Sequence, residues 1–278
     1  MGILRHIMRD VVKPVLVDVG DRFWTNPWRS ISPIKLRVEY TDTQFEFKFK
    51  APSTSTLNIY DGDGTMTPVA GNDDTLVTHT TSYAAPGTYY FYVEGDYLDI
   101  TYIGIIHQSF VNGNINRLAE LINLTGFAGG STPLAGSLNG LSSLNDLHAI
   151  QCSSCPSMSV NVELFTIRDM TTFTFTEGVA IGDMSQLYTS TAPSVAFFGT
   201  NVTFDNIVNF TAGNLFYAYD CSWTSEMVDN CLISLANGAT TGRKIKIHGT
   251  NAARTPASDA AYAYLVANNT SVEVNSYE

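Results

Sequence analysis

The chain has 278 residues, enough for two ordinary domains with cores of their own, and 44% of them are hydrophobic against 15% charged. With 21 glycines and a large stock of Thr, Ser, Asn, Tyr and Phe, this composition excludes a disordered or coiled-coil chain and predicts a turn-rich β protein. The formal charge of −11 is uneven: residues 1–50 carry a net +3, residues 51–242 a net −15 with only Arg117 and Arg168 as cations, and residues 243–278 a net +1. A polyanion is repelled by that middle stretch, so nucleic acid is not an expected partner. No run of about 18 apolar residues occurs, so membrane insertion is not expected either.

In chain order, residues 1–34 come first. Ile3, Ile7 and Val11 recur every four positions, as do Leu4, Met8 and Val12, with Arg5, Arg9 and Lys13 elsewhere around the axis. That is a short amphipathic helix, ended at Pro14. Such a helix is marginal alone and must bury its stripe: in its own chain, on a membrane surface, or in a partner or symmetry copy. Asp10, Asp18 and Asp21 argue against the membrane. The charged residues interrupt any secretory h-region, so export by the general route is not expected. "RFWTNPWRS" reads as a linker with aromatic anchors.

Residues 35–108 read as short strands. "KLRVEY" and "QFEFKFKA" alternate strictly, "TLNIY" leads into the turn "DGDGT", and after a polar loop come "TLVTHT", "APG" and "TYYFYVEG". Strands this short between Gly, Pro and Asp turns predict an antiparallel sandwich. Asp61 and Asp63 resemble the start of a calcium loop, but an EF-hand beginning at Asp61 needs Gly and Glu where Met66 and Asn72 stand. The Asp-Gly pairs are read instead as the positive-φ residues of a hairpin, with a looser calcium site at Asp61 and Asp63 left open.

Residues 109–278 contain a degenerate repeat. Its clearest copy, "LSSLNDLHAIQC", sets Leu141, Leu144, Leu147, Ala149 and Cys152 on the pattern L-x-x-L-x-x-L-x-L-x-x-[N/C]. Looser copies run through Leu118, Leu121, Leu124, Gly126 and Gly129; through Met170, Phe173, Phe175 and Gly178; through Ala196, Phe198 and Asn201; through Phe216, Ala218 and Cys221; and through Ile245, Ile247 and Asn251. The closing positions lie 20 to 30 residues apart, about the ~20–29 of a leucine-rich repeat. Each copy is expected to give one short strand and a corner where a buried Asn or Cys meets backbone groups, which assigns Cys152 and Cys221 to corners. Cys152 and Cys155 form a C-x-x-C, but Cys221 and Cys231 do not make the second close pair that a structural zinc site needs. "SEMVDNCLISLANG" and "TPASDAAYAYLVANN" predict helices and "SVEVN" a last strand, together an α/β C-terminal cap.

No catalytic, cofactor-binding or metal-ligating set emerges. The histidines are scattered, although His148 and His248 fall in repeat strands, and no hydrolase, P-loop, zincin or dinucleotide motif is present.

The order "TLNIYDGDGT", "THT", "SYAAPGTYYFYVEGD" resembles the PKD-like, immunoglobulin-type sandwich that precedes leucine-rich repeats in surface and phage proteins of Bacteroidetes, with Asp61-Gly62 where that family usually has Trp-Gly. "MGILRHIMRDVVKPVLVDV" is similar to the basic-apolar leader of phage fibre and spike proteins. The resemblance implies a mainly β protein with a short N-terminal helix, a PKD-like sandwich and a BspA-like leucine-rich-repeat solenoid. It further implies a non-enzymatic protein of the virion surface. Ile3, Leu4, Ile7, Met8, Val11 and Val12 would anchor it to other virion proteins or to its own copies in a homo-oligomer, and the solenoid would face a host receptor such as a glycan. A BspA-like bacterial adhesin and a polysaccharide-cleaving spike are the competing implications.

Overall fold

A computed structural model describes residues 34–275, apart from 41–43, 74, 107, 109–110, 166–169 and 188–192. The expected N-terminal helix, with its stripe of Ile3, Leu4, Ile7, Met8, Val11 and Val12, lies outside the described residues. What is described is mainly β, with antiparallel and parallel sheets and few helices.

The first strands are β1 (Lys35–Tyr40), β2 (Phe45–Lys50), β3 (Thr56–Tyr60), β4 (Met66–Ala70), β5 (Val77–Thr81), β6 (Gly87–Gly95), β7 (Tyr102–Ile106) and β8 (Val111–Gly113). One antiparallel sheet has the order β4-β3-β6-β1-β8, and β2 pairs antiparallel with β5 on one side and β7 on the other. Period-2 alternation aims Phe45, Phe47 and Phe49 of β2 inward with no exposure, and Phe91 of β6 meets Phe45 edge-on at 4.8 Å between ring centres. The residues after "DGDGT", expected to be a polar loop, form β4. Its side chains are mostly exposed and it holds Pro68, both suited to a sheet edge, so burial gave no periodic signal.

Strand β7 joins the two halves of the chain. It runs antiparallel to β2 through Phe49↔Ile103 and parallel to β9 (Gly126–Gly130) through Ile103↔Phe127. The sheet continues in parallel through β11 (Ala149–Ser153), β13 (Thr172–Thr176), β15 (Ser194–Phe198), β17 (Leu215–Tyr219), β18 (Lys244–His248) and β19 (Ser271–Val274), ten strands in all. Partners along this run are 21 to 29 residues apart in sequence. Between these strands the chain forms a second, four-stranded parallel sheet of β10 (Gly136–Ser137), β12 (Met158–Asn161), β14 (Val179–Asp183) and β16 (Asn201–Thr203), with short 3-10 turns such as Leu138–Ser143 and Val162–Phe165. Further on, helix α1 (Ser225–Asn237) takes the place of strand and turn; Thr224 caps it by accepting from Met227 N at 3.3 Å, and Val228, Cys231, Leu232 and Leu235 are buried. Helix α2 (Asp259–Asn268) leads into β19.

The interior is stacked in register. Phe127, Ile150, Phe173, Val195, Phe216 and Ile245 form one ladder across the parallel strands, all without exposure. This register corrects the sequence alignment. The second copy runs Leu147-x-x-Ile150-x-Cys152-x-x-Cys155, so Cys152 lies within β11 and points into the core, and the corner thiol is Cys155, three residues later. Cys155 Sγ donates to Gly129 O of the neighbouring strand β9 at 3.3 Å; Cys221 Sγ does the same to Phe197 O of β15 at 3.4 Å, and Asn251 Nδ2 to Ala218 O of β17 at 2.6 Å. The fourth copy is one residue out: Val195 and Phe197 face inward, and Ala196 and Phe198 face outward. A one-residue slip exchanges the two faces of a strand, and "SVAFF" is apolar on both.

Six successive strands of the ten-stranded sheet, β9 to β18, also end the same way. Ser131, Ser154, Glu177, Gly199, Asp220 and Gly249, one residue past the ends of six successive strands, all have φ between 51° and 77°. This left-handed residue turns the chain so that the next one or two positions hold the corner group.

Candidate functional site

The outward positions of the ten-stranded sheet vary sharply along it. On β9 they are Gly126, Ala128 and Gly130, and Tyr102 from β7 lies against this bare strip, 3.0 Å from where a Cβ on Gly126 would stand. Burial raises the Tyr102 phenol above its ordinary value. On β11 and β13 the outward groups are polar, with Gln151 exposed and Thr174 half-buried.

The relief then rises. Phe198 of β15 lies nearly parallel to Tyr217 of β17, with ring centres 6.0 Å apart and 14° between planes, and meets Tyr219 at 5.8 Å. Tyr219 takes the His248 ring at 4.6 Å and 79°. Lys246 Nζ sits 5.8 Å over the Tyr217 ring and 2.9 Å from Glu273 Oε1 of β19, while His248 Nε2 is 3.2 Å from Glu273 Oε2. The hydrogen bond from Lys246 holds the Glu273 carboxyl below its usual value, and the same bond raises Lys246. Three half-buried rings therefore stand on neighbouring strands, bordered by a cation, an imidazole and a carboxylate. Their order follows from the sheet: outward positions of β15, β17, β18 and β19 fall side by side about 4.8 Å apart.

His248 thus belongs to this platform. His148 does not; it precedes β11 and is exposed, with Nδ1 3.0 Å from Asp146 O. Phe198, Tyr217 and Tyr219 had no separate signal, because a ring on a strand looks the same in sequence whether it faces the core or solvent. The available signal was parity: once Val195 and Phe216 are inward, Phe198, Tyr217 and Tyr219 must be outward.

The two aspartates of "YDGDGT" part company. Gly62 and Gly64 have φ of 85° and 101°, closing the β3–β4 hairpin through Tyr60↔Met66 as the Asp-Gly pairs suggest. Asp63 spends Oδ1 on Thr65, accepting from its N at 2.8 Å and its hydroxyl at 2.6 Å, and these bonds lower its pKa. Asp61 turns inward instead. It is buried, with Oδ1 2.9 Å from His79 Nε2 and accepting from the Thr81 hydroxyl, while its carbonyl accepts from Tyr83 OH at 2.8 Å. Burial, with Asp61 nearby, drives the Tyr83 phenol far up. Among the described residues no three His, Cys, Asp or Glu side chains gather as a metal ion would require. Cys152 and Cys155 are both buried free thiols; burial pushes Cys152 well up, and Cys152 beside it holds Cys155 down.

No helix of the described residues is long and apolar enough to cross a membrane. No protein-family model, no curated protein and no solved structure matches this chain.

Proposed function

We propose that the protein is a structural component of a bacteriophage particle surface, a fibre, spike or vertex subunit, that docks through its N-terminal segment and presents its repeat half to a host receptor. On this reading the antiparallel strands are a PKD-like sandwich and the parallel circuits a leucine-rich-repeat solenoid with an α/β cap. The observation that carries it is the disposition of the two ends. The segment with the apolar stripe Ile3, Leu4, Ile7, Met8, Val11 and Val12 joins the described chain at Ile34, beside β1 of the five-stranded antiparallel sheet, whereas the ring platform lies on β15 to β18, in the parallel run of the ten-stranded sheet. Within that sheet, β7 to β17 alone is five inter-strand steps, about 24 Å. An attachment segment on the antiparallel half and a recognition surface on the parallel half suit a display protein. The same face would serve a BspA-like adhesin, so the decisive experiment concerns assembly. Deletion of residues 1–25 is expected to leave a folded protein, with a cooperative thermal unfolding transition, that no longer co-purifies with particles. A truncated chain that still assembles, or a full chain never found on particles, overturns the proposal.

A further inference from the structure

We infer that the Phe198–Tyr217–Tyr219 platform is a carbohydrate-binding site for a carboxylate-bearing glycan; this deepens the receptor-recognition reading above and rests on it. Three features of the face select the ligand class.

First, the platform lies on a sheet face whose backbone is already engaged. Strand β17 is paired on both edges, to β15 and to β18, so a peptide has no free strand edge here to extend. A ligand must be held by side chains alone. The Phe198 and Tyr217 rings, 14° from parallel and flanked edge-on by Tyr219, offer flat, half-buried apolar area with little rotamer freedom to lose on binding. The C–H face of a pyranose is flat and weakly apolar, and its rim is a ring of hydroxyls. It needs hydrogen-bond partners at the edge of the aromatic surface, which Lys246, Glu273 and the two tyrosine hydroxyls supply.

Second, the border is charged. An apolar protein partner covering both the rings and this border would desolvate Lys246 and Glu273 without giving them new hydrogen-bond partners. A hydroxylated ligand keeps both groups hydrogen-bonded.

Third, the charge is of the right sign. Residues 51–242 are strongly acidic, net −15, yet the strand next to the rings carries Lys244 and Lys246, with Arg243 just before it and His248 at its end. An anion repelled elsewhere is attracted here, and Lys246, already over the Tyr217 ring, is placed to receive a carboxylate on a stacked sugar in exchange for Glu273.

The test is calorimetric titration of the full chain with two oligosaccharides of equal length, one of neutral hexoses and one carrying uronic or sialic acid residues. The acidic one is expected to bind at least tenfold more tightly and to weaken as salt rises. Tyr217→Ala with Tyr219→Ala is expected to abolish binding while the protein still unfolds in one cooperative transition, at a lower temperature because packed ring area is lost. Lys246→Gln is expected to remove the preference for the acidic sugar while retaining weak binding of both. Equal affinity for the two sugars, binding untouched by the ring variants, or no binding of either overturns the inference. Failure of this site is separable from failure of the function reading: if wild-type protein blocks adsorption of particles to host cells and the double ring variant blocks equally well, the site is wrong and the surface role stands. If the rings bind the acidic sugar but the chain is absent from particles, the site stands and the virion role is wrong.

Discussion

Asp61, just past the end of β3, and His79 of β5, eighteen residues apart, meet at 2.9 Å inside the antiparallel half, and the Thr81 hydroxyl donates to the same carboxylate oxygen. Replacing Asp61 with Ala removes the shared acceptor of the imidazole and the hydroxyl and leaves the two only each other, 3.0 Å apart, in a buried site. The expected loss is about 2–4 kcal/mol of folding stability, since an unmade buried hydrogen bond costs the desolvation of its donor. Asp61→Asn, which keeps an acceptor oxygen, should lose less. Urea unfolding of the three proteins checks the order; equal stability of wild type and Asp61→Ala would contradict it.

Asp63 is occupied by Thr65, and Asp61 by His79 and Thr81, so the two carboxylates do not converge on a common ligand. Treatment with EDTA is therefore expected to leave the melting temperature unchanged. A calcium-dependent fall of several degrees would show that the hairpin carries an ion.

Gly178 lies at a corner of the parallel half, and a Cβ there would stand 2.4 Å from the Phe175 ring and 2.8 Å from Cys155 O. The carbonyl belongs to backbone and Phe175 is fully buried, so neither has room to give way. Gly178→Ala is expected to destabilise by about 1–3 kcal/mol through overpacking, read as a lowered thermal midpoint. Gly199, where an added methyl would meet no atom within 4 Å but φ is +60°, tests conformation without crowding. Its Ala variant should cost about 1 kcal/mol, less than Gly178→Ala.

Asp183 gathers Ser185 N at 2.9 Å, Asp205 N at 3.0 Å and Asn206 Nδ2 at 2.8 Å. Burial pushes its carboxyl up, but the bonds from Ser185, Asp205 and Gln186 outweigh it and leave the pKa lowered. A carboxyl depressed in the folded state stabilises fully above its unfolded pKa of about 3.9 and loses that contribution as pH falls through the lower, folded value. Asp183→Asn should thus be less stable than wild type at pH 7, and the gap should narrow below about pH 4. A gap constant from pH 7 to pH 3 would show that the charge plays no part.

Local periodicity was enough to read β1, β2, β3, β5 and β6 and both C-terminal helices, though not the exposed edge strand β4, because alternating "FEFKFK" and the capped, amphipathic "SEMVDNCLISLANG" each fit one period only. The repeat was legible as a spacing but not as a register. "HAIQCSSC" offers two cysteines as corner candidates three residues apart, and "SVAFF" offers no polar residue to mark its outer face. Those ambiguities are resolved only by neighbouring strands, through the stacking of Ile150 on Phe173 and Phe173 on Val195. The ring platform stayed hidden for the same reason, since it depends on which parity of β15 and β17 the core selects. The inward turn of Asp61 is nonlocal: its partners come from β5 and the residues just after it, and nothing in "YDGDGT" announces them.

The double membership of β7 bears on the order in which the molecule is made. On a ribosome, β2 and β7 are complete before β9 leaves the tunnel, so the antiparallel half can offer a finished edge on which "GFAGG" is laid down, and each later parallel strand finds its template already in place. A glycine-rich strand with little intrinsic preference for extended pairing is the one most in need of such a mould. Vectorial growth from the first half would then set the register of all that follows, and a fragment beginning at β9 would lack its starting edge.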